Sequence, residues 1–244
     1  MVSQVSGAYD GIILGAGHNS LVLQAYMGRA GLRVLCLEPR ETAGGGLTTV
    51  EDPNHPGYFH NTHSFFHRGI NQMPWYRDLE LERHGALYLE PEFNVALILK
   101  NGEILEWWKS FEKTAESFAR LSVGDAETLR RWRERFLLIV QKILIPESFS
   151  PPIPADRRRA LLEKSAEGRL LMEVSALSPL EFVQKEFEHP VIQAGLLFFN
   201  GLRKVDFRCN GFGHHIPALL AAPDKAQLCR GGSAALARAL VAAV

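Results

Sequence analysis

The stretch Leu14–Gly46, LGAGHNSLVLQAYMGRAGLRVLCLEPRETAGGG, decides the fold. Just before it, Ile12–Leu14 is a short apolar run between Gly11 and Gly15, which predicts a buried strand. Leu21–Ala30 reads as a helix stopped by Gly31, a residue that tolerates the left-handed geometry found after a helix end. Arg33–Leu37 (RVLCL) predicts a second buried strand, closing on Glu38. Strand, glycine turn, helix, glycine and strand make one βαβ unit with a parallel sheet and a right-handed crossover.

The turn spells G-x-G-x-x-S, a dinucleotide fingerprint with Ser20 in place of the third glycine. Gly15 permits the sharp exit from the first strand. Gly17 lets backbone approach a pyrophosphate with no β-carbon in the way, and the helix start beyond it offers unpaired N–H groups and a positive dipole end. The third glycine serves close helix–strand packing, so serine there strains packing modestly and leaves the ligand's path open. Glu38 stands where a carboxylate accepts hydrogen bonds from a ribose diol, and its charge opposes a 2′-phosphate. A bare fingerprint recurs in many glycine turns, where Glu38 would be only a surface acid. Here the turn follows a strand, opens a helix and is answered by a strand ending in an acid.

Composition sets the outer bounds. The chain has 244 residues, 46% of them hydrophobic, and its 27 basic residues balance 27 acidic ones. That describes a packed globular protein without the positive excess that nucleic-acid binding draws on. Cys36, Cys209 and Cys229 are scattered and odd in number, forming no disulfide framework and no zinc motif. With no secretory pattern at the start and no apolar run of spanning length, a cytoplasmic protein is expected. Asn94–Trp107 predicts a hairpin, with Asn101-Gly102 as the left-handed pair of its tight turn. Ser110–Ile145 reads as helix, Pro146–Asp156 as a proline-rich break, and Asp156 as the N-cap of the next helix. Further helices are predicted from Pro179 to Phe187, from Pro190 to Phe199 and through the alanine-rich end. Phe136–Pro146 is apolar, and a core helix explains it better than membrane docking or a substrate tunnel. GFGHHIPALL, around His214 and His215, reads as a loop.

The continuation after Glu38 resembles the FAD-dependent oxidoreductases of the phytoene desaturase and carotenoid isomerase group. In that family an acid is followed by an arginine, a glycine pair, a polar stretch and a glycine-aromatic turn. Here Glu38, Arg40, Gly44-Gly45, Thr48 and Gly57-Tyr58-Phe59 match. GAGHN (Gly15–Asn19) is similar to the branch near the pyridine-nucleotide-disulfide-oxidoreductase-domain proteins, and CRGGSAALARALVAAV looks like the family's P-x-G-G-x-x-x-L helix. The resemblance implies FAD as cofactor and a Rossmann-type α/β fold with an inserted helix-rich substrate region. Gly15, Ala16, Gly17, His18 and Asn19 would then face the pyrophosphate. Glu38 would hold the adenosine ribose, with Arg40 beside the adenylate. Gly44, Gly45, Gly46, Leu47 and Thr48 would line the path of the ribityl chain. The expected domains are 1–65 (first part of the FAD domain), 66–225 (substrate or cap region) and 226–244 (the returning helix).

Two departures from the family stand out. Many relatives read Phe-Asp-Thr-Gly where this chain reads Phe59-His60-Asn61-Thr62-His63. His63, in the glycine's place, is the candidate for proton transfer beside the ring; packing or solvent exposure is the bland alternative. His55, His60, His63 and His67 fit no metal-ligand spacing, so no metal is expected. The second departure is at the far end: the family's strand that touches the adenine after the alanine-rich helix, and its later Gly-Asp motif, have no counterpart here. The expectation is therefore one half of a split flavoenzyme, completed by a second polypeptide, or else a truncated chain, transferring hydride from a small organic or isoprenoid substrate to flavin N5. The alternatives are a non-catalytic flavin-binding or scaffolding subunit and an NAD-dependent dehydrogenase.

Overall fold

A computed structural model describes residues 8–201, 206–222 and 226–244. The chain divides into two units, residues 1–91 with 224–244 and residues 92–223. In the first, β1 (Gly11–Leu14), α1 (His18–Arg29) and β2 (Val34–Leu37) form the predicted βαβ unit, its strands parallel from Gly11↔Val34 to Leu14↔Leu37. Gly31, at φ 80°, follows the helix end as expected. One expectation fails: neither strand is buried on both sides. Gly11 and Ile13 point inward, whereas Ile12 and Leu14 are 62% and 80% exposed and Leu37 is exposed as well. The alternation of a strand sends successive side chains to opposite faces, and α1 covers only one of them.

β3 (Thr49–Glu51) and β4 (Phe59–Asn61) then pair antiparallel. β5 (His67–Arg68), α2 (Pro74–Asp78) and β6 (Tyr88–Leu89) complete the first pass through this unit. Residues 66–91 were expected with the helix-rich region. They belong to the first unit because β5 and β6 both pair with a strand near the end of the chain, described below.

The second unit starts with the hairpin of β7 (Phe93–Ile98) and β8 (Ile104–Trp108). The hairpin matches prediction but its turn does not. Gly102 alone takes positive φ, at 86°, and Leu99 C=O accepts from Gly102 N–H while Leu99 N–H donates to Glu103 C=O. That is a three-residue loop closed by one left-handed glycine, not a two-residue left-handed pair. The predicted long helix is broken near Leu121 into α3 (Phe111–Ala119) and α4 (Val123–Ile139), each opened by a serine N-cap, Ser110 and Ser122. Leu129, Trp132, Phe136 and Ile139 line the buried stripe of α4, at the spacing of one helix face. A π-helical turn, Val140–Leu144, leads into α5 (Ile145–Ser148).

α6 (Ala155–Leu162), α7 (Ala166–Ser175), α8 (Pro179–Glu186), α9 (Pro190–Gly201) and α10 (His215–Ala221) follow. Asp156 lies within the first turn of α6, and Pro154 holds the N-cap position assigned to it. His215 opens a helix, so the expected loop there is wrong beyond His214. Asp125, buried in α4, accepts from the N–H groups of Glu188 and His189 at 2.9 and 2.8 Å, which fixes the entry to α9. Phe118, Phe136, Phe182, Leu171 and Leu196 are wholly buried in this unit's core.

The chain then returns to the first unit as β9 (Ala226–Cys229) and α11 (Ser233–Ala243). β9 is the centre of a three-stranded antiparallel sheet, with His67↔Gln227 on one side and Tyr88↔Cys229 on the other. α11 packs on α1, and its Ala235, Leu236, Ala237 and Leu240 join Leu21, Ala25 and Leu47 in a second core.

Candidate functional site

The glycine turn is held from three sides. Gly15 sits at φ 91°, where a side chain would be strained, and its N–H donates to Leu37 C=O at 2.7 Å. Glu38 reaches back across the turn: its Oε2 accepts from Ala16 N–H at 2.8 Å and its Oε1 from Arg40 N–H at 3.1 Å. These two backbone donors, Ala16 first, hold the carboxyl below the usual glutamate range. A carboxylate has about four lone-pair sites, so two remain for ribose hydroxyls. Gly17 is the N-cap of α1 and no side chain caps that helix. The N-terminus of α1 therefore keeps its affinity for an anion.

The second glycine cluster folds onto the first. Gly44 N–H donates to Ala16 C=O at 2.7 Å, and Gly17 and Gly44 form a parallel bridge. A methyl group on Gly45 would stand 3.2 Å from Gly17 Cα, and one on Gly44 only 2.7 Å from Ala237 Cβ. The open side of Gly17 has no heavy atom within 4 Å of where a β-carbon would go. The result is a backbone trough, tight beneath and open above. Leu47 is buried under it, and Thr48 hydroxyl donates to Gly45 C=O at 2.7 Å. Gly15, Ala16, Gly17, Glu38, Gly44, Gly45, Leu47 and Thr48 are thus brought together. His18 and Asn19 lie exposed at the start of α1, Gly46 and Arg40 are exposed beside the trough, and Ser20 is half-buried.

His63 is exposed, its Nδ1 within 2.8 Å of Thr62 Oγ1, and its Cβ lies 4.0 Å from the place of a methyl group on Gly46. It borders the second cluster. The other three histidines diverge: His55 and His60 lie against Asp52, at 3.4 and 3.2 Å, and His67 turns into the interior. Those contacts, with a backbone N–H from Asn54, hold Asp52 below the usual carboxylate range, the Asn54 bond contributing most.

Sequence reading missed two arrangements. Asn61, noted only as a departure, is a helix cap supplied from another element. Its Oδ1 accepts from Ser233 N–H at 2.9 Å and from the Thr49 hydroxyl at 2.8 Å, while Thr49 Oγ1 accepts from Ala234 N–H at 3.0 Å. Gly232 leaves room for this, since a β-carbon there would strike Thr49. The second is a buried polar face on the β5–β9–β6 sheet. His67, 5% exposed, has Nδ1 within 2.8 Å of the Tyr88 hydroxyl, and Tyr88 lies opposite the buried Cys229 in the sheet. Gln227 Nε2 donates to Asn71 Oδ1 and Glu90 Oε1, both at 3.0 Å. Burial pushes Tyr88 well above the usual phenol range and lowers His67, with the His18 charge adding to the latter. The Asn61-Thr62 and Gly231-Gly232 spellings were the visible signals for the first. For the second there was none.

Comparison with known proteins agrees with this geometry. Residues 13–79 match the model of the NAD(P)-binding Rossmann-like domain. The chain is 31% identical to one of the limonene dehydrogenase subunits of Castellaniella defragrans, over 95% of its own length and 42% of the relative's. It is 27% identical to pyridine nucleotide-disulfide oxidoreductase domain-containing protein 2 of Rattus norvegicus, over 77% of this chain and 30% of that one. The chain thus spans less than half the length of these relatives. A solved structure of putrescine oxidase with bound putrescine superposes with a TM-score of 0.55 at 15% identity, over 96% of this chain and 49% of the other. A parallel βαβ unit with an uncapped, glycine-lined helix start and an acid at the end of its second strand makes the first unit a Rossmann-like domain.

Proposed function

We propose that the chain is the dinucleotide-binding half of an FAD-dependent oxidoreductase that takes hydride from a small organic or isoprenoid substrate. The observation that carries this reading is the folding of Gly44 and Gly45 onto Gly17. A single glycine turn serves one pyrophosphate, whereas a second backbone trough continuing from it suits a longer cofactor. Gly15 to Asn19 would hold the pyrophosphate, Glu38 the ribose, Arg40 the adenylate, and Gly44 to Thr48 the ribityl chain. When bound, FAD supplies the hydride-accepting ring. The chain's own part is to orient that group and shield it from water. His63, at the edge of the trough, would take or give a proton.

Similarity to a protein named as a dehydrogenase subunit supports both the oxidoreductase reading and a multi-subunit assembly. A second polypeptide would cover the apolar face of Ile12, Leu14 and Leu37. Among the described residues no helix is long and apolar enough to cross a membrane. The test is cofactor content. The purified chain should retain FAD in preference to NAD, Ser20→Gly should keep it, and Gly17→Val should lose it by at least 100-fold in affinity. Equal flavin content in the two variants, or retention of NAD alone, overturns the assignment. Anaerobic bleaching of the flavin by limonene, with and without a co-expressed partner, separates an enzyme from a flavin-binding scaffold.

A further inference from the structure

The second unit holds a cleft of about 560 Å³ that the dinucleotide reading does not use, within the roughly 300–1,000 Å³ range of small-molecule sites. Its walls are the π-helical turn, α5, the loop 149–154 and α6. Ile143, Pro146, Pro151, Ile153, Leu161 and Leu162 supply the apolar lining.

The polar groups on these walls already have partners. Arg158 forms a two-point pair with Glu147, Nε to Oε1 at 2.7 Å and Nη2 to Oε2 at 2.9 Å. Lys142 Nζ lies 3.3 Å from Glu167 Oε1. The Ser150 hydroxyl donates to Pro146 C=O at 2.8 Å, and Ser165 Oγ accepts from Gly168 N–H as the N-cap of α7. Two cations are matched by two carboxylates, so the cleft offers no uncompensated charge to an ion.

Its shape is set in advance. Pro146 has no N–H to give Lys142 C=O, and the helix widens just before it, with Ile145 N–H reaching Val140 C=O instead. Such π turns are rare, and they recur at functional sites. Here the turn places Lys142 and Ile143 on the cleft wall. Pro151 and Pro152 stiffen the opposite side by fixing φ. Leu161, on the cleft wall, is 49% exposed, so apolar surface continues out of the cleft into water.

We infer that this cleft, between the π turn and α6, is a binding site for a neutral, largely hydrocarbon small molecule. A pre-formed apolar recess with internally neutralised rims rewards desolvation and penalises a charged ligand, which would find no free counter-ion. The site requires no flavin, so its failure leaves the dinucleotide assignment standing.

The experiment uses the full chain and the neutral fluorophore N-phenyl-1-naphthylamine. Saturable fluorescence enhancement is expected, displaced by 1-decanol at concentrations at least tenfold lower than by decanoate at pH 8. Leu161→Glu should weaken binding of the fluorophore at least tenfold with the far-ultraviolet circular dichroism unchanged. Ser150→Trp, which fills the cleft from an exposed position, should do the same and replaces Leu161→Glu if that variant fails to fold. No saturable binding, decanoate competing as well as decanol, or undiminished affinity in a folded cleft variant each overturns the proposal.

Discussion

In residues 92–223, Leu105, Phe118, Phe136, Phe182 and Leu196 are fully buried; in β1 of the first unit, Ile12 and Leu14 stand mostly in water. The residue types are alike and the outcome differs because the elements differ. A helix presents one apolar stripe, and the stripes of α3, α4 and α7 to α10 close over one another. A parallel strand pair has two faces and two edges, and α1 covers one face. The βαβ unit leaves its other face, with Ile12, Leu14 and Leu37, in water.

That contrast can be broken by substitution. Phe136→Ala should cost about 3–5 kcal/mol of unfolding free energy, measured by urea denaturation, since a wholly buried ring leaves a cavity. A loss under 1 kcal/mol would mean that the second unit's core is not closed. Asn61→Ala should cost about 1 kcal/mol through the orphaned Ser233 N–H. Asn61→Asp should preserve stability or raise it, because every group at Oδ1 donates and a negative charge suits a helix start. Equal effects from the two variants would remove the capping role. Leu14→Ser should change stability by no more than about 0.5 kcal/mol and raise solubility. A cost of several kcal/mol would show that this face is covered in the isolated chain.

The smallest effect concerns pH. Backbone N–H groups depress the Glu38 pKa, so its contribution is complete above the ordinary glutamate value and lost as pH falls through the lower, folded one. The Ala16 amide signal in an NMR titration should move with a midpoint below the ordinary glutamate range. A midpoint at or above it would show that Glu38 does not hold the turn.

The parts of this molecule legible in its sequence are those whose determinants are local. Gly15, Gly17, Gly31 and Glu38 lie within one βαβ unit, and their spacing alone predicts the parallel pair and the turn. The hairpin was legible as a hairpin, but the choice between one left-handed residue and two depends on where Leu99 and Glu103 pair. β5, β6 and β9 were not legible. They are two to four residues long, and their partners, such as Tyr88 and Cys229, are far apart in the chain. No window of sequence shows a period for them. The same distance hid Asn61 and Thr49, whose amide and hydroxyl serve a helix 172 and 185 residues away. Exposure of Ile12 and Leu14 was hidden for another reason: an apolar strand reads the same whether or not its outer face is covered.

The contact of Ala237 with Gly44 bears on the order in which the protein is made. The glycine turn leaves the ribosome well before α11, with the whole second unit synthesised between them. The second trough lies against α11 with no room for one methyl group at Gly44, so its final packing waits for residues 233–243 to dock. The residues that bear the site are made early and shaped late.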